Sequence, residues 1–103
     1  MKYRNFTPHA IDVWNDKGEI ILTLPSEGVA RIQVSHDLVE GDSIPLWKGK
    51  YSSIEGLPEH EEGTLIIVSS LVREHCTRID LVSPSHLVRD GQGRVIGCMG
   101  FEY

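Results

Sequence analysis

The fold is decided by the stretch TLIIV at positions 64–68, which is bounded by Gly63 and Ser69. A continuous run of apolar, mostly β-branched residues of this length is typical of a central strand that is covered on both faces. Ser69 and Ser70 then offer capping hydroxyls, and residues 71–76 are long enough for about two helical turns. A buried strand followed by one short helix is therefore predicted.

The N-terminal third predicts further strands. Residues 10–14 and 19–24 are β-rich runs on either side of a turn that ends in glycine, which is typical of a hairpin. Residues 29–34 alternate in polarity and predict a third strand, with Val29 and Arg31 on one face.

The middle of the chain is polar and rich in turn-forming residues. We predict a loop over residues 35–45, a short strand over 44–47, a turn at 48–50 and a returning strand over 51–54. Residues 55–63 predict an acidic loop that contains two glycines and one proline. This loop is expected to be exposed.

The C-terminal third predicts a strand over residues 79–82, ended by Ser83 and Pro84, and a final hairpin that turns at residues 90–93. Together these elements predict a mainly β (α+β) fold. The expected architecture is a small antiparallel or mixed sheet, or a partly open barrel, with about one short helix.

The composition is that of one folded domain. The chain has 103 residues, 40% of them hydrophobic, so residues 1–103 are expected to build one modest core and a single domain. No run approaches the roughly 18 apolar residues of a membrane helix, and residues 1–6 lack the apolar region of a signal peptide. The expected location is the cytoplasm, with no membrane partner.

The charge balance disfavours nucleic-acid binding. A net charge of −5, from 15 acidic and 10 basic residues, opposes contact with a phosphate backbone, so no duplex nucleic acid is expected as a partner. Four arginines fall in the last third of the chain. Their concentration is compatible with a local site for a small anion.

No residue pattern names a reaction, a metal or a cofactor. Cys76 and Cys98 lack the spacing of metal ligands, and the five histidines include no pair with zinc-site spacing. Glycine-rich nucleotide loops and the nucleophile elbow are missing from the sequence. We predict no metal, no cofactor and no catalytic residues. A dyad of Cys98 with a histidine stays open, beside a packing role for Cys98.

Two short segments carry residues that could bind an anion. Pro8 fixes a bend between Thr7 and His9, where the imidazole could donate to a phosphate. Ser69 and Ser70, at the strand-to-helix junction, offer hydroxyls and free amides. Hydrogen bonding within the turn and helix capping explain the same residues, so both interpretations stand.

Three arginines could complete such a site with bidentate contacts to phosphate or carboxylate. The alternative is local pairing of Arg78 with Asp80 and of Arg89 with Asp90 on the surface. The predicted ligand-binding residues are Thr7, His9, Ser69, Ser70, Arg73, Arg78 and Arg89.

Several strings along the chain resemble a group of short proteins encoded by phages and actinobacteria. These strings are NFTPH at 5–9, EGLP at 55–58, VSSLV at 68–72, and a C-terminal region with RID at 78–80, RD at 89–90 and GRVIGC at 93–98. The resemblance spans nearly the whole chain, and no single motif in it names a reaction. It implies a phage-borne origin, a role in countering host defence, and attention to Thr7, Pro8, His9, Ser69, Ser70, Arg78, Asp80 and Arg89.

Three functions compete. The first is a non-enzymatic sponge that sequesters a small anionic, nucleotide-type signal, such as a cyclic nucleotide or an ADP-ribose derivative, and it places the serines and arginines in one site. The second is an inhibitor that blocks a host defence protein through the acidic residues of the 55–62 loop. The third is a nucleotide hydrolase that uses His9 with Ser69 or Asp80. A homo-oligomer is a further expectation, since it would protect sheet edges.

Overall fold

Eight strands and one short helix make up the part of the chain that the computed structural model describes, residues 1–41 and 43–103. The mainly β fold with one short helix is therefore confirmed. In chain order the elements are β1 (Lys2–Asn5), β2 (Ile11–Trp14), β3 (Ile20–Leu24), β4 (Val34–Val39), β5 (Leu46–Tyr51), β6 (Thr64–Ile67), α1 (Ser70–Glu74), β7 (Leu81–Arg89) and β8 (Val95–Glu102). No described helix has the length and apolar character that crossing a membrane requires.

Six strands form one mixed sheet in the order β1-β6-β7-β8-β2-β3. Strand β6 runs parallel to both of its neighbours, whereas the β7–β8 and β2–β3 pairs are antiparallel. Both predicted hairpins are confirmed by these antiparallel pairs. Strand β1 is an addition, because the sequence pattern predicts no strand over residues 2–5.

Strand β6 is covered on both faces, as its apolar run predicts. Ile66 and Val68 pack with Phe6, Val72 of α1 and other residues in one core cluster, whereas Ile67 packs with Val13 in a second. Side chains alternate between the two faces of a strand, so consecutive residues of β6 pack in opposite clusters. Cys76 packs against the first cluster and Cys98 lies in the second, both as free thiols.

The sheet curls until its two edge strands meet, so the predicted partly open barrel is confirmed as a nearly closed one. Asn5, at the end of β1, forms a parallel bridge with Ser26, just beyond β3. The backbone N–H of Glu27 donates to the carbonyl of Asn5 at 2.8 Å. This bridge closes the sheet at the end of β1, whereas β3 itself forms a ladder only with β2 among the described strands.

The side chain of Asn5 holds this closure together. Its amide nitrogen donates to the carbonyls of His9 and Leu24 at 2.8 and 3.0 Å. Its amide oxygen accepts from the backbone N–H and the hydroxyl of Thr7 at 2.9 and 2.6 Å. The residue is 1% exposed, so these four bonds replace its contacts with water.

The predicted order of the middle segment is wrong. Strand β4 occupies part of the predicted loop, and β5 runs through the predicted turn at 48–50 and pairs with β4 along its whole length. The predicted strand over 29–34 is also wrong: residues 29–33 form no strand and make a single bridge, from Arg31 to Glu55, and Val34 begins β4. Cross-strand pairing overrides the turn preference of Gly49, which lies opposite His36. Position 42 of the predicted loop lies outside the described residues.

The predicted end of a strand at Ser83 and Pro84 is also wrong, because β7 continues to Arg89. The carbonyl of Val82 accepts from Val68, which places the backbone groups of residue 82 on the β6 side of the strand. Pro84 is two residues further along, so its missing N–H faces the same side, beyond the end of β6. No ladder bond is lost there, and a proline is tolerated.

We expect Asn5→Asp to lower the free energy of unfolding by about 2–4 kcal/mol at pH 7, because the carbonyls of His9 and Leu24 lose their donor and a charge is buried. Urea unfolding followed by circular dichroism measures this loss. The matched control is Asn15→Asp in the exposed β2–β3 turn, where the side-chain oxygen that accepts from Lys17 and Glu19 is retained. Equal effects of the two substitutions would contradict the role of Asn5.

Candidate ligand-binding site

Two cavities meet beside the segment that links β1 to β2, and Pro8 and Ser69 line both of them. The apolar cavity has a volume of about 330 Å³ and extends between residues 7–11 and the β7–β8 hairpin. The second cavity has a volume of about 490 Å³ and extends along residues 29–33 towards α1. Its lining is about equally polar and apolar, and we call it the polar cavity because it contains Arg31. The two cavities are therefore neighbours that share two lining residues, and we call the pair the joined cleft.

The apolar cavity is lined mainly by aliphatic groups of the hairpin, among them Leu87, Val95 and Ile96. Its polar groups come from Thr7, His9 and Ser69, three of the residues that the sequence predicts for a ligand site. The hydroxyl of Thr7 donates to Asn5, so this group is used within the turn. His9 is exposed, and its ring makes no hydrogen bond within the described residues.

Ser69 caps α1, and its side-chain oxygen accepts from the N–H of Val72 at 3.3 Å. The hydroxyl proton of a capping serine is still available for donation, so capping leaves Ser69 one donor for a ligand. Ser70 is the first residue of α1 and is exposed. It lines neither cavity of the joined cleft, so the structure separates the two adjacent serines.

The three predicted arginines do not line the joined cleft within the described residues. Arg73 donates to the hydroxyl of Ser83 at 2.8 Å. Arg89 donates to the carbonyl of Gly93 and so secures the β7–β8 turn, whereas Asp90 pairs with Arg94. Each of these guanidinium groups has a local partner that supports the fold.

Arg78 binds Asp80 through two hydrogen bonds, of 2.9 and 2.6 Å, and donates a third to the carbonyl of Pro58 at 2.7 Å. The local pairing weighed from the sequence is therefore present, but in a partly buried setting, because Asp80 is only 4% exposed. These hydrogen bonds lower the pKa of Asp80 against the opposing effect of burial, and they raise the pKa of Arg78. The pair fastens the acidic loop to the start of β7.

Arg31 is the cationic residue of the joined cleft, and sequence reasoning missed it as a site residue. It lines the polar cavity with Gln33, Ser52 and Glu55. Backbone hydrogen bonds to Glu55, of 2.8 and 2.9 Å, fix its position. The guanidinium makes no ion pair or side-chain hydrogen bond within residues 1–41 and 43–103. The alternation over residues 29–34 was the available signal, since it sets Arg31 on the face opposite Ala30.

Neither a metal site nor a catalytic pair is assembled within the described part of the chain. No three His, Cys, Asp or Glu side chains there lie together as a metal ion would need. His9, Ser69 and Cys98 all line the apolar cavity, but no hydrogen bond joins the ring of His9 to either of the other two within the same residues. The joined cleft offers binding groups and space.

We expect Arg78→Gln to lower the free energy of unfolding by about 2–3 kcal/mol at pH 7, because it leaves Asp80 charged and without its partner. The pKa of Asp80 is lower in the folded protein than in the unfolded one. The pair therefore stabilises fully above the unfolded value of about 3.9 and loses its effect as pH falls through the lowered value. Urea unfolding should show the gap between wild type and variant narrowing below about pH 4.

The matched control is Arg94→Gln, which breaks the pair between the exposed Arg94 and Asp90 and should change stability little. A gap between wild type and Arg78→Gln that stays constant down to the acid limit would contradict the assignment.

Comparisons of this chain with protein-family models, with curated proteins and with solved structures found no match.

Proposed function

We propose that this protein is a non-enzymatic binding protein that sequesters a small nucleotide-type anion in the joined cleft. The observation that carries the proposal is that an apolar cavity and a cavity with Arg31, whose guanidinium has no partner among the described residues, share two lining residues, Pro8 and Ser69. A nucleotide has the same two-part character, with a flat base at one end and phosphate at the other.

The base occupies the apolar cavity. Its volume of about 330 Å³ falls at the small end of ligand sites, which are mostly apolar with a few polar groups that set orientation. Leu87 and Ile96 offer surfaces for the faces of a planar ring, and His9 offers an imidazole at the exposed side. Ser69 lies where the two cavities meet and can donate its hydroxyl proton to a sugar or phosphate oxygen.

The phosphate lies against Arg31. A guanidinium without a protein partner can hold phosphate through two parallel hydrogen bonds, and Gln33 and Ser52 add polar groups nearby. Glu55 lines the same cavity, and its carboxylate opposes a bare phosphate but accepts hydrogen bonds from sugar hydroxyls. The combination favours a ligand with both a ribose and a phosphate, such as an ADP-ribose derivative, over inorganic phosphate.

Blocking of a host defence protein is the second candidate, and one observation favours it. Glu59, Glu61 and Glu62 are exposed and make no ion pair within the described residues, so they present an open acidic surface. Such a surface can steer a basic partner. This candidate ranks second because Glu55, which was predicted to be part of the acidic surface, lines the polar cavity. Phage origin and a counter-defence role remain predictions under either candidate.

The first test is to purify the protein from cells that carry nucleotide-signalling systems, denature it, and analyse the released small molecules by ultraviolet absorbance and mass spectrometry. We expect one nucleotide-type molecule for each site, recovered intact. An empty protein that also fails to bind a cyclic nucleotide or ADP-ribose in calorimetry would refute sequestration. Chemical turnover by wild type that is lost in His9→Ala would favour the hydrolase.

We further expect Arg31→Gln to weaken nucleotide binding about 10- to 100-fold, because a charge-assisted contact to phosphate contributes about 1.5–3 kcal/mol. The melting temperature of the unliganded variant should match wild type, since Arg31 has no side-chain partner within the described residues. Lys17→Gln, in the β2–β3 turn and outside the lining of both cavities, is the matched loss of one positive charge and should bind as wild type does. Equal affinity of all three proteins would place the phosphate elsewhere.

A further inference from the structure

Strands β4 and β5 form a two-stranded ribbon, which we call the arm, that projects from the rest of the protein. Every residue of both strands is exposed. The radius of gyration is 16.6 Å, against about 13 Å for a compact domain of this length, and the longest dimension is 52 Å. One aromatic contact ties the base of the arm to the body, between the rings of Tyr51 and His75 at 3.9 Å.

The arm has an apolar face and a polar face. Residues directly opposite each other in an antiparallel pair point to the same side, so the pairs Val34–Tyr51 and Leu38–Trp47 lie on one face. On the other face Ser35 lies opposite Lys50, and Asp37 lies opposite Lys48 and forms an ion pair with Lys50. The last pair on this second face, Val39–Leu46 at the tip of the arm, is apolar. Apart from this tip pair, and from His36–Gly49 on the apolar face, the side chains divide as they do in a ribbon with one side buried.

Nothing within the described part of the chain covers the outer half of the apolar face. Leu38 is 63% exposed and Trp47 is 61% exposed. An isolated two-stranded ribbon is at best marginally stable in water and needs packing on one face to persist. A surface that covered the apolar face would therefore stabilise the arm.

The same chain carries a second uncovered apolar surface, on strand β3. This strand is an edge of the six-stranded sheet, and its residues Ile20, Ile21 and Leu22 are all exposed. Exposed apolar edge strands favour association and are usually covered. The arm and β3 are thus two surfaces of one chain that lack partners and match each other in chemistry.

We propose that two copies of this chain form a symmetric dimer in which the apolar face of each arm packs on β3 of the other copy. Trp47 and Tyr51 are large aromatic side chains that bury roughly 150–250 Å² each in full, and 61% and 48% of them, respectively, is still exposed and open to a partner. With both arms and both receiving strands, the buried area reaches on the order of 1,200 Å², which a specific interface requires. In this symmetric dimer each arm covers β3 of the other copy, so both arms and both β3 strands are covered. No arm is left free to bind a third copy.

Sedimentation equilibrium on the full chain tests the proposal with three variants. We expect wild type to have twice the chain mass, whereas Trp47→Lys and Ile21→Lys should each raise the dissociation constant at least about 100-fold. Lys48→Ser, on the polar face of the same ribbon, is the matched control and should remain dimeric. Circular dichroism shows whether each variant is folded.

Fluorescence gives a second readout that needs no disruptive variant. In Trp14→Phe, Trp47 is the only tryptophan, and the change removes an indole N–H that is buried without a partner in the described residues. Dilution should shift the emission of Trp47 to the red and raise its quenching by acrylamide as the dimer dissociates.

Three results would overturn the proposal. A wild type that is monomeric at all concentrations, with Trp47 exposed to solvent, would show that a second copy does not cover the arm. A dimer that survives Trp47→Lys would place the interface elsewhere. Dissociation by Trp47→Lys without any effect of Ile21→Lys would mean that the arms meet each other instead of β3.

Discussion

The hydrogen bonds of the Asn5 side chain are the interaction on which the rest of the structure depends. One buried amide joins the end of β1, the turn that contains Thr7 and the end of β3, and so joins the two edges of the curled sheet. The amide of asparagine has two donors and an oxygen that accepts twice, and the four partners match that inventory. Few other side chains could satisfy the same four groups.

The joined cleft depends on the same amide. Pro8 lines both cavities, and it lies between Thr7 and His9, whose backbone groups are bonded to Asn5. The segment that forms the shared wall is therefore held by a buried polar group and not only by packing. Buried networks in which every member is satisfied are rigid, and a rigid wall lowers the entropy cost of binding a small molecule.

Charge in this protein is divided between fold and site. The arginines that lie near an acceptor in the chain, such as Arg78 two residues before Asp80, are used to fasten loops and turns. Arg31 has backbone contacts to Glu55 while its guanidinium stays free of partners within the described residues, which leaves it to the polar cavity. Gln33 and Ser52, bonded to each other at the base of the arm, line that cavity too. A contact that fixes the position of the arm therefore also fixes this wall of the polar cavity.

The sequence by itself determined those elements that can be recognised from the pattern of apolar, polar and turn-forming residues within the element. The apolar run of β6, the capping serine of α1 and the two hairpins around glycine turns are all visible in local patterns, because alternation and turn chemistry act over a few neighbouring residues. Thr7, His9 and Ser69 are predicted from residue type alone, and all three line the apolar cavity, whereas their role in binding stays a prediction.

Only the tertiary structure decided the strand β1, the pairing of β4 with β5, the closure at Asn5 and the place of Arg31 in the joined cleft. Each of these joins residues that are far apart in the chain, and one-dimensional spacing carries no record of which distant groups meet. The pattern of β4 is hard to read for a further physical reason. Both faces of the arm are exposed within one chain, so its residues show no division between core and solvent until a partner surface is considered.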